Sequence, residues 1–162
     1  AGGKVNRCSS MGVSKGVRGR AGELRGMFLS EGSIGSAEKL CESGIYGKVG
    51  ESYSLDGLEC VYTADISEVQ PGDAYICSTV DGECPKKYSI DIVKVDKNNK
   101  SNKNFVIKIT DKDLISATGG IVQGMSGSPI LQDGKLVGAV THVFLNDPTR
   151  GYGIDINTML KE

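Results

Sequence analysis

Several things are scarce in this sequence. Tryptophan is absent, proline occurs 4 times and histidine once, as His142. No Cys-x-x-Cys pair occurs among the five cysteines, which argues against a zinc ribbon. No apolar run approaches the roughly 18 residues that a membrane-crossing helix needs. Nor does one sign of charge dominate. The 19 basic and 20 acidic residues leave a net charge of -1, which argues against a nucleic-acid-binding domain with its usual basic excess. The first residues do not read as a signal peptide, and Ala1-Gly2-Gly3 without an initiator methionine is expected to begin a processed or excised piece. The cysteines, Cys8, Cys41, Cys60, Cys77 and Cys84, are odd in number and cannot all pair within one chain. Cys77 and Cys84 flank a turn and are candidates for a bond, against the alternative of free buried thiols, so the cysteines do not decide the compartment.

What is abundant is glycine, 23 residues of 162, set among short apolar runs. That pattern suits a barrel or sandwich with many tight turns, in one domain or two small subdomains. Strands are expected at 4–13, 24–29, 33–40, 44–49, 58–64, 74–80, 87–96, 104–110, 129–131, 136–144 and 152–156. The three runs between 24 and 49 read as a meander. Asp81-Gly82 and Asp133-Gly134 mark hairpin turns. Gly16 to Gly22 (GVRGRAG) is a glycine and arginine loop with no Walker Lys-Ser/Thr pair after it. Lys97 to Lys103 (KNNKSNK) is a solvated hairpin tip. Residues 111–118 hold one helical turn, for which Asp111 or Asp113 is a natural N-cap, and a C-terminal helix is expected from Asn157.

The stretch that carries chemistry is Gly119 to Ile130, GGIVQGMSGSPI. A serine between glycines, with proline three places on, suits a nucleophile on a tight loop. Gly124 lets the backbone fold close behind Ser126 without a Cβ clash. The amides of Gly124 and Ser126 can then converge as an oxyanion hole. A glycine-rich turn between strands is the bland alternative. No helical pattern follows Ser126, so this is not the strand-turn-helix elbow of an α/β-hydrolase. A serine nucleophile needs a base. His142 lies in an apolar strand, where a wall-lining histidine is the preferred reading over a base. Candidate pocket walls are Gly120 to Gln123, Thr141 to Val143 and Arg150 to Tyr152, with Gln123 and His142 foremost.

Residues 109–153, and above all the unbroken TGGIVQGMSGSPI from Thr118 to Ile130, closely resemble the stage IV sporulation protein B family of serine peptidases. GAVTHVF (138–144) and NDPTRGYG (146–153) extend the match, and 16–47 matches more loosely. The resemblance implies an all-β, chymotrypsin-like double β-barrel, with 1–56 the remainder of an incomplete first barrel and 57–162 the second. It also implies a histidine-aspartate-serine triad, with the serine at Ser126, the aspartate at Asp111, and no metal or organic cofactor. The family histidine sits in a Leu-Gly-His segment that these residues do not contain. It is expected from chain upstream or from another fragment, as are a PDZ domain and a membrane anchor. By the same resemblance the enzyme is secreted from the forespore into the space between forespore and mother cell. There it cleaves a regulator of a membrane-embedded protease. The alternative is a catalytically silent barrel that binds peptides or a partner by strand addition. An incomplete barrel exposes strand edges, so self-association is expected.

Overall fold

A computed structural model describes residues 2–51 and 53–161, without the side chain of Glu31. Two β units follow one another. The first is an open antiparallel sheet of β1 (Gly3–Ser14), β2 (Glu23–Cys41) and β3 (Gly44–Val49), in the order β1-β2-β3. The second is a closed barrel of β4 (Gly72–Ser78), β5 (Lys86–Val95), β6 (Phe105–Ile109), β7 (Pro129–Gln132), β8 (Lys135–Phe144) and β9 (Asp147–Asp155). Its strand order is β4-β5-β6-β9-β8-β7, closed by Tyr75 opposite Leu131 and Ile76 opposite Ile130. The architecture is consistent with the all-β chymotrypsin-like fold expected from the sequence.

Alternation explains the barrel. Along β5, Tyr88, Ile90 and Ile92 point inward, and Phe105, Ile107 and Ile109 do so along β6. Ile76, Ile130, Val140 and Ile154 complete the filling. Each such side chain contributes about 1.5–3 kcal/mol on burial. The turn at Asp133-Gly134 forms as expected, with φ of 51° and 76° at its two residues. This matches the right-handed twist of the strands it joins.

Two expectations fail for a topological reason. Residues 58–64 form no strand; only an isolated bridge links Thr63 to Leu136. The barrel is closed by its own six strands, so this segment pairs only at Leu136, and Leu58 and Tyr62 stay exposed despite their alternation. The expected strands at 24–29 and 33–40 are one strand, β2. The turn signal at Gly32 (φ 85°) is absorbed in the ladder, with register shifts opposite it between Val5 and Cys8. Cys77 and Cys84 are separate thiols, and Cys8, Cys60 and Cys84 are exposed rather than buried. No helix among the described residues is long and apolar enough to cross a membrane.

The connection from β6 to β7 passes across the barrel end. It carries α1 (Lys112–Thr118) and the serine loop. The short α2 (Ile156–Met159) follows β9, starting one residue before the expected position.

Candidate active site

Asp111 starts α1. Its Oδ1 accepts from the Leu114 amide at 2.9 Å, and its Oδ2 from the Ser89 amide at 3.4 Å. Leu114 and Thr118 anchor the helix in the core. Gly119 ends it in the left-handed region, donating its amide to the Ile115 carbonyl at 2.8 Å. At Gly120 a Cβ would collide with the backbone of Pro148, so only glycine lets the chain pass β9 there. Ile121 and Val122 then enter the core, and Met125 is fully buried. Burying the methionine forces its neighbours outward. Gly124 (φ 98°) and Ser126 are exposed on a loop held from beneath.

The hydrogen bonds of this loop alternate. The Gln123 amide donates to the Gly22 carbonyl at 2.8 Å and the Met125 amide to Val122 at 3.1 Å. The Gly127 amide donates to Val140 at 2.8 Å and the Ser128 amide to Met125 at 3.0 Å. Among the described residues the amides of Gly124 and Ser126 donate to no group, and both residues face solvent. Two undonated amides thus stand either side of Met125, next to an exposed hydroxyl. The Ser126 hydroxyl itself donates to the Thr141 carbonyl at 2.8 Å. The register of β8 on β9 shifts between Val140 and His142, placing a bulge at Thr141.

Ser126 lies between two cavities. One of about 280 Å³ is lined by Ile121, Val122, Gln123, Thr141, His142 and Val143, with Ala21 and Leu145 at its margin. No acidic or basic side chain other than His142 lines it. The other, about 500 Å³, runs under the tip of the β2–β3 hairpin, where Leu40, Cys41, Glu42, Ser43 and Ile45 face Gly127, Val140 and Met159. At that tip the Tyr46 hydroxyl donates to the buried Ser43 hydroxyl at 3.0 Å.

The fold therefore gathers Ser126, Gln123 and His142 around one cavity, while Gly124 lies beside the Leu24 side chain and lines neither. Of the wider walls considered, Gly120 and residues 150–152 do not line the cavity beside Ser126. The reason at Tyr152 is its packing on Phe144, with ring centroids 4.6 Å apart. Asp111 lines neither cavity holding Ser126; its carboxylate makes the contacts of a helix cap. Three contributors escaped the sequence reading: Ala21, Leu145 and the β2–β3 hairpin tip. All reach the site through tertiary packing, and no local pattern announces them.

A family model, SpoIVB peptidase S55, matches residues 1–160. The chain belongs to that family. Its members are serine peptidases, and the match spans both the open sheet and the barrel. No curated protein matches the sequence.

Proposed function

We propose that this chain is the catalytic domain of a serine endopeptidase with Ser126 as nucleophile. The observation that carries the reading is the pair of undonated amides, Gly124 and Ser126, beside an exposed seryl hydroxyl. Ser126 Oγ attacks the scissile carbonyl and loses its proton to a base. The carbonyl electron pair moves onto oxygen, and the resulting oxyanion accepts from the two amides. Collapse expels the amine and leaves an acyl-enzyme, which water hydrolyses. Each oxyanion donor supplies on the order of 10²–10³ in kcat in comparable sites.

The resemblance assigns the base to a histidine outside residues 1–162 and the orienting acid to Asp111. Before reaction the Ser126 hydroxyl must leave the Thr141 carbonyl and turn toward that base. The small cavity, walled by Ile121, Val122 and Val143, then receives an uncharged side chain next to the scissile bond. Residues 141–143 lie beyond the β7 pairing, which ends at Ala139. A substrate strand would run past Ser126 along these residues, taking up the Thr141 carbonyl once the seryl hydroxyl leaves it. By resemblance the substrate is a regulator of a membrane-embedded protease, cut between forespore and mother cell. The outer edge of β3 is where self-association would occur, since Gly82 already pairs with Ser10 on the outer edge of β1.

Ser126→Ala is expected to abolish cleavage of the protein substrate while the fold persists by circular dichroism. Cleavage at the normal rate by that variant would end the proposal. His142→Ala is expected to change side-chain preference and retain turnover; complete loss in a folded variant would make His142 the base.

A further inference from the structure

Two loops noted in the sequence have no part in the chemistry above, yet each touches residues that wall the cleft. Residues 15–20 carry Lys15, Arg18 and Arg20 and no acidic residue. This loop is fixed to the site. The Gly16 amide donates to Thr118 at 2.8 Å, the Gly19 amide donates to Leu145 at 2.7 Å, and Ala21 lines the small cavity. Residues 97–103 carry Lys97, Lys100 and Lys103, again with no acidic residue. That hairpin tip reaches the same strand from another direction. The Thr141 hydroxyl donates to the Asn102 carbonyl at 3.5 Å. Lys103 Nζ lies 5.1 Å over the Tyr152 ring, and Tyr152 pairs with His142 across β8 and β9. The tip is stiff, because the Asn104 amide group donates to both Asp96 and Asn99 and the Asn99 side chain accepts from Ser101 and Lys103 amides. Lys15, Arg18, Arg20, Lys100 and Lys103 are exposed and form no ion pair among the described residues.

Five of the 19 basic residues, Lys15, Arg18, Arg20, Lys100 and Lys103, therefore sit on two loops that bond to residues near the cleft, while Lys97 is turned to the Ser67 carbonyl, in a chain whose net charge is -1. Charge so concentrated is a field directed at whatever enters. The small cavity has uncharged walls apart from His142, so the basic rim acts on residues flanking the one buried there. We propose that the two loops select a protein substrate that is acidic around its scissile bond. Carboxylates on either side of an uncharged residue would meet Arg18 and Arg20 on one loop and Lys100 and Lys103 on the other. This rests on the peptidase reading of Ser126. Rim charges act chiefly on association, so the effect belongs in kcat/KM and its salt dependence rather than in kcat.

The test uses the full-length peptidase and matched peptides with Glu, Gln or Lys flanking one leucine. The Glu peptide is expected to show about tenfold higher kcat/KM than the Gln peptide at low salt, the gap closing as ionic strength rises. R18E/R20E and K100E/K103E should each reverse the order of the Glu and Lys peptides. Milder R18Q/R20Q and K100Q/K103Q variants should reduce the gap, and they serve if a reversal variant fails to fold. Labelling of Ser126 by a neutral fluorophosphonate should be unchanged in every folded variant. Equal cleavage of the three peptides at low salt, with Ser126 still labelled, overturns the proposal and leaves the peptidase reading standing. Absence of labelling in the parent overturns both. Variants that cleave all peptides normally but lose binding to vesicles of anionic phospholipid would show that the loops face a membrane, and the proposal falls.

Discussion

The closed barrel and the open sheet are both antiparallel, yet they bury their side chains to very different degrees. All fully buried large side chains of the core lie between Val69 and Ile154, and the sheet supplies only partly buried Val13 and Leu24. Phe28 and Leu40, on the longest strand of the molecule, are 75% and 79% exposed. The sheet is joined to the barrel largely through its backbone: Ser10 with Gly82, Gly16 with Thr118, and Gly22 and Leu24 with Gln123. The barrel holds the core, and the sheet adds Val13 and Leu24 to its margin. The barrel presents Ser126, and the sheet side brings Ala21 and the β2–β3 hairpin tip to the two cavities beside it.

The largest effect that can test this contrast is a pair of truncations. Phe105→Ala inside the barrel should cost about 3–5 kcal/mol in urea unfolding. Phe28→Ala on the sheet should stay within about 0.5 kcal/mol. Similar losses at the two sites would mean that Phe28 is buried against something in the working protein. Amide hydrogen exchange sharpens the same point: protection should be high at Ile90, Ile107 and Val140 and low along residues 26–40, and uniform protection would contradict it.

Next in size is Asp111, where two roles separate cleanly. Asp111→Ala removes the helix cap and should cost about 1 kcal/mol. Asp111→Asn keeps a good cap, so its stability should change by only a few tenths of a kcal/mol. If Asp111 is also the orienting acid that the resemblance implies, the asparagine variant folds normally and loses turnover. Normal turnover in that variant leaves Asp111 a helix cap alone.

The smallest effect concerns acid. The Thr149 hydroxyl, then its amide, hold the Asp147 carboxyl below the usual range at the turn into β9, with Arg150 adding to this. A depressed carboxyl stabilises the fold above its unfolded pKa, and that contribution is lost as pH falls through the folded value. Thr149→Val should raise the Asp147 titration, followed by NMR at its carboxyl carbon; an unchanged midpoint would remove the hydroxyl from the account.

Much of the barrel was legible because period-two alternation survives wherever one face of a strand is buried, as at Tyr88, Ile90 and Ile92. The same rule misled at Leu58 to Ala64, since alternation describes a strand's faces and says nothing about whether a neighbouring edge is free. The break expected between 29 and 33 is absent because a positive-φ glycine, here Gly32, serves a bulge as well as a turn. At the site, the glycine spacing around Ser126 was readable because the loop must be tight. The hairpin tip over Ser126 and the approach of each basic loop to residues near the cleft were not, because they depend on contacts between residues as far apart as Gly19 and Leu145 or Asn102 and Thr141.

The measurement that bears most directly on the central claim is labelling with a fluorophosphonate, with the adduct located by mass spectrometry, on this chain and on one extended upstream. The account predicts an adduct on Ser126 in the extended chain that disappears in Ser126→Ala. An extended, folded chain that stays unlabelled, or carries its adduct on another residue, would contradict it.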